Sequence, residues 1–304
     1  MAQKTEKWRS LYPFESKAIS IGGFKYHYLD EGKGPVLLLV HGNPTWSFYW
    51  REAIKALRGG YRLIVPDHIG CGLSDRPDPE RYPYRLARRI DDLGTLVAKL
   101  NLKQITLVGH DWGGAVGVGV AGAQPQRFSR FVMMNAIAFP HQDWPPLVRL
   151  CRSPLVGKVS VQRLNVFVKA MLRSMDSKRR KLAPEVKQGY LAPYATRDAR
   201  MPIYQFLRDI PLGNGHTSSA PLGMVERTLA KFRNHPVCLI WGMQDPLFSR
   251  SILDRWLGYF PDAEVHRINN VGHYALEETP DRVIPLMQEF LEAHPPATAG
   301  KAGA

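Results

Sequence analysis

The chain has 304 residues, of which 44% are hydrophobic and 22% are charged. This balance is typical of a globular protein with a sizeable core, and the length suits one α/β domain that carries an insertion. The segment 1–16 lacks the apolar centre of an export signal, and no apolar run approaches the length of a membrane span. We therefore expect neither a signal peptide nor a transmembrane helix.

The formal charge is +14, from 41 basic and 27 acidic residues. Such a surplus favours acidic partners, but no nucleic-acid recognition motif accompanies it, so we expect no nucleic-acid binding. The three cysteines, Cys71, Cys151 and Cys238, are odd in number, far apart and not in metal-ligand spacing. We expect a reduced, cytoplasmic protein without disulfides, metal or cofactor.

The first part of the chain alternates strand patterns with helical patterns. Two β-rich runs around Gly22–Gly23 predict a hairpin at 18–29. Continuous apolar runs predict buried strands at 35–42, 61–67 and 104–110, and helical spacing predicts helices at 47–58 and 84–100. Strands that alternate with helices predict a mostly parallel central sheet with helices on both faces.

The same alternation continues later, with strands expected at 128–138, 237–245 and 264–273 and helices at 249–258 and 280–293. Between residues 139 and 227 the strand patterns stop, and proline-broken helical segments replace them. We interpret 139–227 as a helical cap, inserted after the sixth strand of a core formed by 1–138 and 228–294. The tail 295–304 is low in apolar content, and we predict that it is disordered.

A sharp turn is predicted between the strand at 104–110 and the glycine-rich helix that follows. The turn reads Gly109-His110-Asp111-Trp112-Gly113, which is the pattern of the nucleophile elbow in α/β-hydrolases. Glycines are needed there because the tight turn brings backbones too close for a Cβ atom. Asp is also a favoured N-cap residue. The residues that follow later in the chain nevertheless favour an α/β-hydrolase fold with Asp111 as the nucleophile.

An acid and then a histidine are expected after such a nucleophile. Asp245 ends the seventh predicted strand and His273 ends the eighth, and sites of parallel sheets assemble at the carboxyl ends of strands. We predict that His273 is the base that activates water and that Asp245 orients it. The backbone N–H of Trp112 and one N–H from the loop after the strand at 35–42 would form an oxyanion hole.

A carboxylate at the turn restricts the classes of reaction that we expect. A serine that attacked a saturated carbon would form an ether, which hydrolysis does not cleave. A carboxylate is ionised at neutral pH and forms an alkyl ester, which activated water opens at the enzyme's own carbonyl. Asp111 therefore predicts displacement of a halide, or opening of an epoxide or a strained lactone, and argues against an ordinary esterase or peptidase.

Three motifs resemble the haloalkane dehalogenase family: LVGHDWGG (107–114), VHGNPTWSFYWR (40–51) and PDHIGCGLSDRP (66–77). The resemblance covers nearly the whole chain, including the segment 190–211 of the cap. It implies that the amide of Asn43 and the indole of Trp112 hold the departing halide, whereas epoxide hydrolases usually have an aromatic residue at the position of Asn43. Two neutral donors stabilise a developing anion without neutralising the nucleophile.

Part of that family has its third catalytic residue, a glutamate, at the end of the sixth strand, where this chain has Asn135. An acid after the seventh strand, Asp245, together with Asn43 and Trp112 resembles the third subfamily. That subfamily includes β-lactone decarboxylases of long-chain olefin biosynthesis, which use the same aspartate on a lactone with two long alkyl chains. The resemblance implies a haloalkane dehalogenase, with a β-lactone decarboxylase as the alternative.

Two further hypotheses remain. An epoxide hydrolase would need cap tyrosines to protonate the opening oxygen, and Tyr190, Tyr194 and Tyr204 are available for this in the sequence. A non-catalytic scaffold would use the basic cap as a binding surface, but the complete set of predicted site residues argues against it.

The cap contains a strongly basic segment, 149–181, with ten Lys or Arg residues and one acid, Asp176. Apolar residues at helical spacing from Leu164 to Met175 predict a cap helix whose apolar face covers the cavity and whose charges face water. Basic amphipathic helices also dock on anionic membranes or acidic partners. We therefore expect a small hydrophobic substrate, a haloalkane or a long-chain lactone, and leave open a homo-oligomer or a membrane or partner contact through this segment.

Overall fold

A central sheet dominates the computed structural model, which describes residues 7–176, 181–213 and 215–296. Its eight strands are β1 (Lys17–Ile21), β2 (Phe24–Glu31), β3 (Val36–Val40), β4 (Arg62–Pro66), β5 (Ile105–Asp111), β6 (Phe128–Ala136), β7 (Val237–Gly242) and β8 (Glu264–Ile268). The spatial order is β1-β2-β4-β3-β5-β6-β7-β8. The β1–β2 hairpin and the β2–β4 pair are antiparallel, and the remaining pairs are parallel. The expected mostly parallel sheet is confirmed.

Helices cover both faces of this sheet. They are α1 (Arg51–Leu57), α2 (Leu86–Lys99), α3 (Trp112–Ala123), α4 (Pro146–Arg152), α5 (Leu155–Lys158), α6 (Val166–Met175), α7 (Pro184–Leu191), α8 (Met201–Arg208), α9 (Ser219–Thr228), α10 (Arg250–Tyr259), α11 (Ala275–Glu278) and α12 (Pro280–Ala293). The strand β5 is buried along its whole length, as expected for an apolar strand covered on both faces.

The predicted cap, 139–227, contains α4 to α8 and most of α9, and every regular element described between β6 and β7 is helical. The helix α9 packs against the core helices α2 and α3, whereas α8 packs against α4 and α5. The basic residues Lys178, Arg179 and Arg180 and the predicted tail from residue 297 lie outside the described residues.

The described part of the chain contains no helix that is long and apolar enough to cross a bilayer. Cys71, Cys151 and Cys238 are all free and buried. Their thiols therefore contribute to packing inside the protein and form no disulfide framework.

A buried ion pair of the core also binds a tyrosine of the cap. Both guanidinium Nη atoms of Arg51 donate to the carboxylate of Glu277, at 2.6 and 2.8 Å, and the hydroxyl of Tyr190 on α7 donates to the same carboxylate at 2.6 Å. The side chains of Arg51 and Glu277 are each 1% exposed. Because both charged groups are buried away from water, each is stabilised mainly by the opposite charge of the other.

We predict that Glu277→Gln lowers the free energy of unfolding by about 3–5 kcal/mol, because it leaves the buried charge of Arg51 without its main counter-charge. Urea unfolding followed by tryptophan fluorescence measures this change. Glu52→Gln is the matched control, because Glu52 contacts Arg51 at 3.4 Å but is 32% exposed, and we expect it to cost less than about 1 kcal/mol. Equal effects of the two substitutions would contradict a stabilising role of the buried pair.

Candidate active site

Asp111 lies at the sharp turn between β5 and α3. Its backbone has φ 54° and ψ −129°, and its side chain makes no helix-capping hydrogen bond. A positive φ is strained for a residue other than glycine and is frequent at functional sites. The geometry therefore does not support Asp111 as a structural N-cap of α3, and its carboxylate contacts groups outside this helix.

The turn leaves no room for side chains beside Asp111. A Cβ atom on Gly113 would lie 2.0 Å from the carbonyl oxygen of Val40, and one on Gly42 would lie 1.8 Å from Oδ1 of Asp111. Neither distance is compatible with a real contact. These glycines let the loop after β3 reach Asp111, and the backbone N–H of Asn43 donates to Oδ1 of Asp111 at 2.8 Å.

His273 lies between two carboxylates. Its Nδ1 is 2.7 Å from Oδ2 of Asp245, and its Nε2 is 3.4 Å from Oδ2 of Asp111. The three side chains are buried, with residue exposures of 3–5%. The structure thus brings the predicted nucleophile, base and acid together in the expected order.

The positions of two of these residues differ from the predicted strand ends. The strand β7 stops at Gly242 and β8 stops at Ile268, so Asp245 and His273 lie in the loops that follow. A Cβ on Gly242 would be 2.0 Å from the carbonyl oxygen of Gly272, so the two loops are in close backbone contact. Both loops therefore leave the sheet early and meet above its carboxyl edge.

Asn135 has a role that the sequence did not indicate. Its Nδ2 donates to Oδ2 of Asp245 at 2.8 Å and to the carbonyl oxygen of Gly242 at 3.1 Å, and its Oδ1 accepts the N–H of Gly242 at 2.8 Å. The backbone N–H of Leu247 donates to the other carboxylate oxygen of Asp245 at 2.7 Å. Asn135 thus holds the loop and the carboxylate that orient His273.

The two carboxylates control the protonation of His273. Burial alone lowers the pKa of this imidazole, but the charges and hydrogen bonds of Asp245 and Asp111 outweigh burial and raise its pKa to about 10. At the neighbouring His110, burial outweighs the charges of the same two residues and lowers the pKa to about 3. In the free protein His273 is therefore an imidazolium at neutral pH.

The predicted donors Asn43 and Trp112 both adjoin Asp111, and both contact the cap. The amide nitrogen of Asn43 donates to the carbonyl oxygen of Ile203 on α8 at 3.4 Å. The ring of Trp112 stacks on Trp144, with 6.1 Å between ring centroids, and meets the edge of Phe206 on α8 at 6.3 Å. Sequence reasoning missed these three cap residues, because their contacts with the core are non-local.

Two of the three cap tyrosines are engaged away from Asp111. The hydroxyl of Tyr190 donates to Glu277, and the hydroxyl of Tyr204 donates to the carbonyl oxygens of Ser153 and Pro154. Tyr194 is buried. This arrangement argues against Tyr190 and Tyr204 as the acids that an epoxide hydrolase would need.

Comparison with known proteins agrees with this geometry. Residues 35–280 match the alpha/beta hydrolase fold family. The chain is 40% identical to the cis-3-alkyl-4-alkyloxetan-2-one decarboxylase of Shewanella oneidensis, over 93% of this chain and 90% of that protein. It is 33% identical to haloalkane dehalogenase 2 of Mycobacterium tuberculosis, over 92% and 96% of the two chains. Haloalkane dehalogenase DbeA from Bradyrhizobium elkani superposes with a TM-score of 0.82 at 28% identity, covering 92% of this chain and all of that one.

We predict that Asp111→Asn lowers the pKa of His273 by about 1–3, because it removes one of the two carboxylates that favour the imidazolium. Titration of the ring nitrogens by ¹⁵N NMR measures the change, and His110 in the same spectrum serves as the neutral internal reference. An unchanged pKa of His273 in the variant would show that Asp111 does not act on the imidazole.

Proposed function

This chain belongs to the α/β-hydrolase family, and we propose that within it the protein is a decarboxylase of β-lactones that carry two alkyl chains. The observation that carries this proposal is the 40% identity to the cis-3-alkyl-4-alkyloxetan-2-one decarboxylase, which extends over 93% of the chain and exceeds the 33% identity to the dehalogenase. The geometry of the site supports both reactions, so the substrate assignment depends on this comparison and on the chemistry below.

The first step uses Asp111 as a nucleophile. Its carboxylate attacks the saturated ring carbon that is bonded to the ring oxygen, from the side opposite that oxygen. A carbon–oxygen bond to Asp111 forms and the ring bond breaks, which leaves an alkyl ester on the enzyme and a free carboxylate on the adjacent carbon. Asn43 and Trp112 are neutral donors next to Asp111, suited to binding the oxygen anion that develops.

The second step returns Asp111 to its starting state. The bond between the substrate carboxylate and its carbon breaks to release carbon dioxide, its electrons form the alkene, and the bond to Asp111 breaks. Inversion at the attacked carbon places the aspartate opposite the carboxylate, so anti elimination converts a cis-lactone into a cis-alkene. The departing carboxylate of Asp111 meets the N–H of Asn43 at 2.8 Å and the imidazole of His273 at 3.4 Å.

The protonation of His273 supports elimination over hydrolysis. Hydrolysis of the ester would need a neutral imidazole as the base for water. In the lactone reaction the ring-opened substrate supplies a new carboxylate when the charge of Asp111 is lost in the ester. The negative charge near His273 is thereby maintained, the imidazolium persists, and water is not activated.

We predict that the purified protein converts a cis-3,4-dialkyl β-lactone into a cis-alkene and carbon dioxide, and that Asp111→Asn reduces this rate by on the order of 10⁴-fold or more, as expected for loss of a nucleophile. Gas chromatography of the alkene measures both rates. Asp143→Asn is the matched control, because Asp143 is an exposed acid of the cap and should leave the rate unchanged. Recovery of intact lactone from the wild-type reaction would refute the proposal.

Haloalkane dehalogenation is the second candidate, and Asn43 together with Trp112 beside the nucleophile favours it. Asp111 would displace a halide from the saturated carbon, and the ester would then carry no negative charge. The pKa of His273 would fall when the charge of Asp111 is lost, so that His273 held by Asp245 could deprotonate water and release an alcohol.

The substitution His273→Gln separates the two reactions. With a bromoalkane we expect it to trap the ester on Asp111, with one bromide released per protein and a matching increase in intact mass. With the lactone no base is needed, so we expect continued alkene formation, slowed by less than the 10²–10⁴-fold that loss of a catalytic base typically causes. Ester accumulation from the lactone would contradict the elimination step.

A further inference from the structure

The cap exposes a cluster of apolar side chains to solvent. The described residues contain eight large hydrophobic side chains that are exposed, and six of them belong to one stretch of the cap: Leu147 (37%), Leu150 (47%), Leu155 (81%), Val156 (54%), Val159 (46%) and Leu164 (57%). We call these six residues the α4–α5 face. Large contiguous apolar patches on a protein surface mark sites of interaction with a protein or a membrane.

The local geometry brings four of these six side chains together in two pairs. Leu147 and Leu150 are three residues apart on α4, and Leu155 and Val159 are four residues apart on the next helical segment, so each pair shares one helix surface. The two segments are in close contact, because a Cβ on Gly157 would lie 2.3 Å from the carbonyl oxygen of Cys151. The opposite side of α4 is buried through Val148 and Cys151.

The charges within this segment of the cap have a single sign. From Trp144 to Met175 the chain contains six Lys or Arg residues and no Asp or Glu. Five of the six are exposed: Arg149, Lys158, Arg163, Lys169 and Arg173. Such a surface is complementary to an anionic bilayer: the apolar side chains match the hydrocarbon region, and the cations match the phosphates at its surface. The face contains leucine and valine, and lacks the exposed Trp and Tyr that dominate many protein interfaces.

The face is connected to the active site through α8. The hydroxyl of Tyr204 on this helix donates to the carbonyl oxygens of Ser153 and Pro154, at 3.1 and 2.9 Å, between α4 and α5. One residue earlier the carbonyl oxygen of Ile203 accepts the amide of Asn43, and Phe206 packs against Trp112. A surface bound to the α4–α5 face would thus lie one helix away from the donors of the site.

We propose that the α4–α5 face docks the protein on the surface of an anionic lipid bilayer, with its leucines and valines in the interfacial region and the surrounding Lys and Arg residues on the phosphates. Docking orients the cap toward the membrane, in which an apolar substrate and its alkene or alcohol product dissolve. This inference goes beyond the proposed reaction and applies equally to a lactone and to a haloalkane.

Vesicle sedimentation tests the proposal with the full-length protein. We expect binding to vesicles of equimolar phosphatidylglycerol and phosphatidylcholine, at least tenfold weaker binding to phosphatidylcholine alone, and loss of the difference in high salt. Leu155→Glu combined with Val156→Glu should reduce binding to the anionic vesicles at least tenfold. Met224→Glu is the matched control, because Met224 is 60% exposed on α9 outside the face, and it should bind like the wild type.

A second pair of variants tests the charges. Lys158→Gln combined with Arg163→Gln should weaken binding by about fivefold for each charge removed, whereas Lys33→Gln, at an exposed position outside the cap, should have little effect. Unchanged urea midpoints verify that the variants fold. Wild-type protein that stays in the supernatant would overturn the proposal, as would undiminished binding by the glutamate double variant. The wild type could instead form a concentration-dependent dimer and not bind vesicles. If the glutamate double variant lost that dimer, a second copy of the chain would be identified as the occupant of the face.

Discussion

The imidazole of His273 between the carboxylates of Asp245 and Asp111 is the interaction on which the rest of the site depends. The two buried carboxyl groups face opposite nitrogens of this ring, and a positive charge on the ring stabilises both. The strained turn places Asp111, the glycines admit the loop that carries Asn43, and Asn135 holds Asp245 against the ring. Each of these features helps to place one ring nitrogen of His273 toward each carboxyl group.

Because of this arrangement, the protonation of His273 depends on whether a negative charge stays in the site after the ester forms. An ester on Asp111 removes one of the two charges that hold the proton on His273, so the imidazole becomes a base unless another anion replaces that charge. A halide diffuses away, whereas a ring-opened lactone keeps its carboxylate attached. Under the proposed mechanism, one set of residues would therefore hydrolyse one ester and eliminate from the other.

The parts of the site that depend on local sequence can be predicted. The elbow around Asp111 and the hairpin at Gly22–Gly23 are encoded by adjacent residues, so the sequence alone indicates both. The predicted seventh and eighth strands are too long, because buried residues such as Val271 continue the apolar pattern into the loops. The contact of Asn135 with Asp245, 110 residues later in the chain, and the packing of Trp144 on Trp112 have no local signal, so only the tertiary structure reveals them.

We propose that the ester on Asp111 is resolved by elimination and not by water. Turnover of a cis-3,4-dialkyl β-lactone in H₂¹⁸O, followed by mass spectrometry of the peptide that contains Asp111, tests it most directly. Elimination breaks the bond between the substrate carbon and the aspartate oxygen, so we predict alkene over many turnovers and an unlabelled carboxylate. Appearance of ¹⁸O in Asp111, together with a β-hydroxy acid product, would contradict the account.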